Sequence, residues 1–163
     1  MRKLKTVLFI CSSNVARSIM AEAILNHLGG KEYAACSAGS MPIGRVNSLA
    51  LEELRSRGYS TDGLLSKSWD NYAGPQAPDL DFVITVCGKV AEETPPVWSG
   101  DPCRAVWKFK APGSHEGTDE EIRAAFSNTC DAIEASIRKF LDIPFDQLDR
   151  EDILERVRDA GPE

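Results

Sequence analysis

Residues 5–18 read KTVLFICSSNVARS, and this stretch decides the fold. Its first part, Lys5–Ile10, is almost continuously apolar, a pattern typical of a strand buried on both faces of a parallel sheet. A helix is predicted from about Arg17 to about Leu28, where Gly29-Gly30 ends it. The stretch therefore predicts a strand, a short loop and a helix, which together open an α/β fold.

The rest of the chain repeats this alternation of strands and helices. Further strands are predicted at Tyr33–Cys36, Asp81–Cys87 and Ala105–Phe109, and further helices at Asn47–Arg57, Asp119–Leu141 and Asp149–Asp159. Strands that alternate with helices favour a parallel sheet flanked by helices. We expect a single α/β domain over residues 1–145, followed by a helical extension over residues 146–163.

Composition limits the class of protein. Apolar residues make up 42% of the 163 residues and charged residues 27%, which is ordinary for one soluble domain. The 19 Lys and Arg residues oppose 25 Asp and Glu residues, and the net charge of −6 disfavours nucleic-acid and anionic-membrane binding. The apolar run Val7–Cys11 is shorter than a signal-peptide core or a membrane span. We expect a cytoplasmic monomer.

The cysteines indicate reduced thiols, not a disulfide framework. The chain carries five of them, an odd number, widely spaced and without a CxxC pair: Cys11, Cys36, Cys87, Cys103 and Cys130. Its two histidines, His27 and His115, lie far apart, so no metal site is predicted.

The loop after the first strand carries the pattern C-x5-R-S, from Cys11 to Arg17 and Ser18. Ligands of parallel α/β sheets bind beyond the carboxyl ends of strands, where this pattern places Cys11. Arg17 can hold two oxygens of a tetrahedral anion with its planar fork, and Ser18 can hydrogen-bond the thiolate. The intervening backbone N–H groups can surround the same anion; they belong to Ser12, Ser13, Asn14, Val15 and Ala16. The loop therefore predicts a sulfur nucleophile inside an oxyanion receptor.

The segment CSSNVARSIMAEAILN, residues 11–26, resembles the signature of the low-molecular-weight protein tyrosine phosphatase superfamily. Within that superfamily it is more similar to the arsenate reductases built on the same fold. The likeness extends through residues 37–70 and on to IRKFLDIPFDQLDR at residues 137–150. The resemblance implies a three-layer fold with a four-stranded parallel sheet. It further implies that Cys11 is the nucleophile, Arg17 clamps the oxyanion, Asn14 shapes the loop and Ser18 supports the thiolate.

Cys87 ends the stretch DFVITVC, where a parallel sheet would bring it to the same edge as Cys11. It is either a core cysteine at a strand end or a resolving thiol, and the resemblance favours the second role. Arsenate reduction takes two electrons from thiols: Cys11 would form an adduct with arsenic, and a second thiol would then release arsenite and leave a disulfide. Thioredoxin, or glutathione with glutaredoxin, would reduce that disulfide, and no bound cofactor is expected.

Two positions depart from the family pattern. Many relatives carry a further cysteine before the Pro-Val-Trp segment, where this chain reads Glu93-Thr94-Pro95-Pro96, and this absence favours a low-molecular-weight thiol as reductant. The phosphatases carry an Asp-Pro whose aspartate is the general acid, where this chain reads Ala111-Pro112. Loss of a positioned acid argues against efficient hydrolysis of phosphomonoesters. Asp101 is a candidate replacement for the acid, and Cys103 for the third thiol.

Three other interpretations remain open at this stage. In the first, the chain is a phosphatase that uses Cys11, Arg17 and an acid such as Asp101. In the second, it binds an oxyanion without turnover. In the third, Cys11 is a buried core residue without a catalytic role.

Overall fold

The computed structural model describes residues 4–112 and 116–162, so His115 lies outside the described residues. The strands are β1 (Lys5–Cys11), β2 (Tyr33–Gly39), β3 (Phe82–Thr85) and β4 (Cys103–Val106). The helices are α1 (Arg17–Leu28), α2 (Ser48–Ser56), α3 (Gly88–Ala91), α4 (Asp119–Leu141) and α5 (Arg150–Asp159). Short 3₁₀ turns lie at Trp69–Tyr72 and Phe145–Gln147.

The four strands form one parallel sheet in the order β2-β1-β3-β4, which confirms the predicted fold class. β1 lies in the middle, and its residues Val7–Cys11 are at most 2% exposed. Ile10 lies beside Ala38 of β2 and Thr85 of β3, so all three strands end at the same edge of the sheet. The register therefore delivers Cys11 to this edge, which we call the carboxyl edge.

Helices α1, α2 and α4 pack together on one face of the sheet. The apolar stripe of α4 is buried as predicted, at Phe126, Cys130, Ile133, Ile137 and Phe140. Thr118 caps this helix, because its hydroxyl accepts a hydrogen bond from the N–H of Glu121 at 3.1 Å. On the other face, Trp69, Val90 and Trp98 line a cavity above Ile10 and Thr85.

Several element bounds differ from the predicted ones for local reasons. α2 begins at Ser48 because Asn47 is its cap and accepts from the N–H of Leu49 at 2.8 Å. β2 continues to Gly39 because it pairs with β1 over seven residues. β4 starts at Cys103, two residues before the predicted start at Ala105, because Cys103 pairs with Phe82 at the beginning of β3. The bounds of α1 and α4 are the predicted ones.

The C-terminal helix α5 packs against the end of β4. The indole N–H of Trp107 donates to the carbonyl of Val157 at 2.8 Å, and Val157 and Ala160 are buried. The division of the chain at residue 145 stays a prediction. Across the described ranges, no helix combines the length and the apolar composition that crossing a bilayer requires.

Candidate active site

Cys11 lies at the carboxyl edge and lines a cavity of about 330 Å³. The other residues around this cavity are Ser13, Val15, Ala16, Arg17, Asn47, Ala111 and Pro112. The thiol is only 2% exposed, and its Sγ lies 3.0 Å from the hydroxyl of Ser18. The sulfur therefore lies deep in a polar cavity at the sheet edge.

The backbone of residues 12–16 is held from the outside through its carbonyl groups. Ser12 accepts from the N–H of Met41 at 2.9 Å, Ser13 from Ile43 at 3.3 Å, and Val15 from Asn47 at 2.9 Å. In a trans peptide the next N–H points opposite to the carbonyl, so these bonds turn the N–H groups at positions 13, 14 and 16 toward the inside of the loop. Those groups donate to no acceptor within the described ranges. The loop thus presents convergent donors, which is the arrangement that a tetrahedral oxyanion requires.

Asn14 fixes the shape of this loop. It is fully buried and has a φ of 53°, a left-handed conformation that asparagine tolerates better than most residues. Its Nδ2 donates to the hydroxyls of Ser18 at 2.8 Å and Ser37 at 3.1 Å, and its Oδ1 accepts from the N–H of Lys67 at 2.9 Å. One side chain therefore ties the loop to α1, to β2 and to the segment around residue 67.

The bond from Asn14 also orients the hydroxyl of Ser18. Because Ser18 Oγ accepts from Asn14 Nδ2, its own proton is available to Cys11 Sγ at 3.0 Å. A hydroxyl that donates to sulfur stabilises the thiolate, since hydrogen bonds to charged acceptors are stronger than neutral ones. Ser18 is fully buried, so water does not compete for this bond.

A buried carboxyl group extends the same network. The hydroxyl of Ser37 donates to Glu22 Oε1 at 2.6 Å, and Lys67 Nζ lies 3.8 Å from that oxygen. Glu22 is 9% exposed, and its burial raises the pKa of its carboxyl group above the ordinary value, against the opposing effects of Ser37 and Lys67. The sequence analysis missed Glu22 and Ser37. The available signal was a carboxylate between two alanines on a helix of otherwise apolar character.

Arg17 lies in the same cavity as Cys11. Its Nη1 donates to the carbonyl of Phe109 at 3.0 Å, which anchors the guanidinium to the segment after β4. A guanidinium has five N–H donors, and Arg17 makes no ion pair with a carboxylate of the described ranges. Its remaining donors are available to an anion beside Cys11.

Ala111 stands in the cavity wall where the phosphatases of the resembled superfamily place an aspartate. Arg17 is the only titratable side chain besides Cys11 among the described residues that line this cavity. The described lining residues therefore supply a nucleophile and anion donors but no carboxylic acid to protonate a leaving group.

Cys87 lies beyond β3 at the same edge of the sheet as Cys11. The N–H of Val86 donates to the carbonyl of Ile10 at 2.8 Å, so the pairing with β1 continues up to the residue before Cys87. Cys87 is not among the described residues that line the Cys11 cavity. Ideal strand geometry, with about 4.8 Å between strands and 3.3 Å per residue, would place the two Cα atoms roughly 6 Å apart. Disulfide-bonded cysteines commonly have this separation. Because side chains alternate along a strand and Ile10 is level with Thr85, the Cys87 side chain starts on the opposite face of the sheet from that of Cys11. Cys87 is 2% exposed.

The structure contradicts the predicted roles of Asp101 and Cys103. Cys103 pairs with Phe82, which pairs with Val7, so it lies four residues before the level of Cys11, or roughly 13 Å along the strands. Asp101 lies beside it, with its side chain 91% exposed and 3.6 Å from Arg150. Both residues belong to the opposite edge of the sheet. Neither can serve the Cys11 cavity as general acid or third thiol.

The two remaining cysteines are structural. Cys36 donates from its Sγ to the carbonyl of Val7 at 3.5 Å, and Cys130 lies in the core on α4. Burial raises the pKa of each thiol to about 12, so both remain protonated at neutral pH.

Comparison with known proteins identifies relatives along most of the chain. Residues 6–154 match the low molecular weight phosphotyrosine protein phosphatase family. An arsenate reductase of Bacillus licheniformis is 34% identical over 140 residues, which cover 83% of this chain and 94% of that protein.

Two solved structures show the same fold. An arsenate reductase in the phosphate binding state has a TM-score of 0.63 and 28% identity, covering 83% of this chain and 98% of that one. The thioredoxin-dependent arsenate reductase Cg_ArsC1' of Corynebacterium glutamicum has a TM-score of 0.55 and 28% identity, covering 83% of this chain and 62% of that one.

Replacing Ser18 by alanine tests the hydrogen bond to the sulfur. We expect Ser18→Ala to lower the rate of Cys11 alkylation by iodoacetamide at pH 7 by about tenfold, because a hydrogen bond to a charged group is worth roughly 1.5–3 kcal/mol. Mass spectrometry of the Cys11 peptide measures the rate. Ser13→Ala, in the same loop but without a side-chain bond to Cys11, is the control and should change the rate less than about twofold. Equal effects of the two variants would contradict the assigned role of Ser18.

Glu22→Gln tests the cost of the buried carboxyl group through the pH dependence of stability. The unfolded carboxyl group releases its proton near pH 4.5, whereas the folded one, whose pKa is raised, holds it to higher pH. The contribution of Glu22 to stability therefore falls as pH rises above about 4.5 and through the raised pKa of the folded carboxyl group. We expect urea unfolding to show the variant gaining stability relative to the parent over this window. Glu155→Gln, which replaces an exposed carboxyl group, is the control. If the difference in unfolding free energy between Glu22→Gln and the parent does not change with pH, the account is contradicted.

Proposed function

The chain belongs to the low molecular weight phosphotyrosine protein phosphatase family, and we propose that it reduces arsenate to arsenite, with Cys11 as nucleophile and Cys87 as resolving thiol. One observation carries the proposal: a second thiol follows the strand paired with β1, at the edge where the Cys11 cavity has no carboxylate among its described lining residues. Such a site can transfer electrons from thiols, and its described lining residues do not supply the acid that ester hydrolysis needs.

Arsenate would bind in the loop as a tetrahedral anion. The inward N–H groups of residues 13, 14 and 16 and the free guanidinium donors of Arg17 would hold its oxygens. This places the arsenic against Cys11 Sγ, whose thiolate form Ser18 stabilises. A related arsenate reductase is known in a phosphate binding state, which supports the binding of a tetrahedral oxyanion by this chain.

In the first step the Cys11 thiolate attacks arsenic. An S–As bond forms while one As–O bond breaks, and that oxygen leaves as water with the two protons that dihydrogen arsenate carries. Arsenic remains As(V) in this adduct, so no electrons have yet been transferred. Donors already aimed at the oxygens require little reorganisation during the step.

In the second step the Cys87 thiolate attacks Cys11 Sγ. An S–S bond forms while the S–As bond breaks, and its electron pair stays on arsenic, which leaves as As(III) in arsenite. The two sulfurs are oxidised by two electrons, and arsenic is reduced by two. A Cα separation of roughly 6 Å, which ideal strand spacing gives, is within the range of a disulfide, and closing the bond requires the Cys87 side chain to turn toward Cys11.

The hydrolase alternative is weaker on the same geometry. A phosphatase of this kind would form a phosphocysteine and would need an acid to protonate the departing alcohol, which is worth about 10²–10⁴-fold in rate. Ala111 occupies the corresponding wall, and Asp101 lies at the other edge of the sheet.

Turnover requires an external thiol reductant. All five cysteines are free, and we infer that the protein works in a reducing compartment, namely the cytoplasm. We further propose that the enzyme is a monomer. The candidate reductants are thioredoxin and glutathione with glutaredoxin, and the thioredoxin dependence of the Corynebacterium glutamicum relative supports a protein dithiol. Thr94 stands where many members of the resembled superfamily carry a third cysteine, so the Cys11–Cys87 disulfide would itself be the species reduced.

Cys87→Ser is expected to separate the two steps. Without a resolving thiol the variant should form the Cys11 adduct but release less than one equivalent of arsenite per enzyme, whereas the parent turns over many times with reductant present. Arsenite release measured by chromatography with arsenic detection checks this. Cys103→Ser, which removes a thiol at the opposite edge, should retain parental turnover. Full multiple turnover by Cys87→Ser would refute the proposed role of Cys87.

Ala111→Asp is expected to add the missing acid. Hydrolysis of p-nitrophenyl phosphate should be slow in the parent and should rise about 10- to 100-fold in the variant, at the lower end of the range for a positioned acid because the loop is not adapted to it. Ala111→Asn, similar in size but unable to donate a proton, is the matched control. Rapid hydrolysis by the parent, or an equal rise in the asparagine variant, would contradict this reading of the cavity.

A further inference from the structure

Three large apolar side chains are exposed around the Cys11 loop. Met41, Ile43 and Leu65 are each 64% exposed, and we call them the rim patch. They make up half of the exposed large apolar side chains in the described ranges; the others are Leu4, Val97 and Val106. Exposed apolar side chains gathered beside a functional site are typical of a protein-binding surface.

The rim patch is fixed to the catalytic loop by hydrogen bonds. The N–H groups of Met41 and Ile43 donate to the carbonyls of Ser12 and Ser13. On the second segment, the hydroxyl of Ser66, next to Leu65, donates to the same Ser13 carbonyl at 3.0 Å. A partner seated on the rim patch would therefore be held in a defined position relative to Cys11.

Binding of the oxyanion does not require the rim patch. Arsenate is small and polar, and its donors come from the loop backbone and Arg17. Reduction of the Cys11–Cys87 disulfide makes a different demand, because both cysteines are only 2% exposed. Of the three other cysteines, Cys36 lies beside Leu8 within the sheet, Cys103 lies at the opposite edge and Cys130 lies in the core, so none of them can carry the disulfide to the surface. The reductant must reach the sulfur of Cys11 through the mouth of the cavity.

A positive charge in the segment that carries Met41 and Ile43 favours one type of partner. Arg45 lies between Ile43 and Asn47, both hydrogen-bonded to the loop, and it is exposed without an ion pair among the described residues. The positive charge of Arg45 is opposite in sign to the net charge of the chain, which is −6. It complements a partner that brings a thiolate and acidic side chains to the mouth.

We propose that the rim patch, with Arg45, docks a dithiol protein whose reactive thiol lies in an apolar face bordered by acidic residues. This inference rests on the proposed function. The partner thiolate attacks the Cys11 sulfur of the Cys11–Cys87 disulfide, forms a mixed disulfide and releases Cys87. The second partner thiolate then attacks the partner sulfur of the mixed disulfide and releases Cys11. The partner is oxidised to a disulfide by two electrons, and the two released thiolates recover their protons from water.

The test measures arsenate reduction at saturating arsenate with two reductants, a dithiol protein and a small-molecule dithiol. The triple substitution Met41→Ser, Ile43→Ser and Leu65→Ser should lower kcat/KM for thioredoxin, recycled by its NADPH-dependent reductase, by about tenfold or more. Turnover driven by dithiothreitol, which needs no docking surface, should change less than about twofold. Arg45→Ser should lower kcat/KM for thioredoxin at low salt, and the loss should shrink at high salt because screening weakens exposed charges. Leu4→Ser, which changes another exposed apolar side chain just before β1 at the opposite edge, is the control.

The outcomes separate this inference from the proposed function. A parent that reduces arsenate with dithiothreitol but not with thioredoxin, or a triple variant that retains parental kcat/KM for thioredoxin, overturns the docking surface alone. Equal losses with both reductants also overturn it, since they show that the patch supports the loop and not a partner. A parent that releases no arsenite with either reductant overturns the proposed function itself, and the docking surface with it.

Discussion

The side chain of Asn14 holds the candidate active site together, because it bonds three parts of the fold at once. Its amide donates to Ser18 on α1 and to Ser37 on β2, and its carbonyl oxygen accepts from the backbone at Lys67. The left-handed backbone of this residue turns the loop tightly enough for its peptide groups to converge. Without these bonds the loop would lose its side-chain ties to α1, β2 and the segment around residue 67, and Ser18 would lose the partner that directs its proton to Cys11.

The parallel register of the sheet decides which residues can take part in the chemistry. β1 and β3 end side by side, so Cys11 and the residues after Thr85 meet at one edge, together with the segment that carries Ala111. The same register carries Asp101 and Cys103 to the opposite edge. A second thiol at the edge that carries the nucleophile, and the lack of an acid among the described residues lining its cavity, favour electron transfer from sulfur over hydrolysis. The fold alone is compatible with both reactions.

The sequence predicted the features that depend on local patterns. The apolar run of β1, the C-x5-R-S loop and the stripe of α4 each follow from residues close together in the chain, and the structure has these elements where they were expected. Glu22, Ser37 and Lys67 join the site through contacts between distant segments, which periodicity does not reveal. The role of Cys103 was predicted wrongly because β4 was predicted to begin two residues later. That prediction placed Cys103 in a loop whose position relative to the sheet could not be inferred from the sequence. Ala111 was identified only through the family resemblance, because an alanine carries no chemical signal of its own.

The account depends on a loop that is already shaped for a tetrahedral anion before the anion arrives. A crystal structure of the protein grown in phosphate tests this most directly. We expect phosphate inside the loop, against the sulfur of Cys11 and bonded by the N–H groups of residues 13, 14 and 16 and by Arg17, with the backbone of residues 11–18 unchanged. A loop that refolds around the anion, or phosphate bound elsewhere while the loop stays empty, would contradict the account.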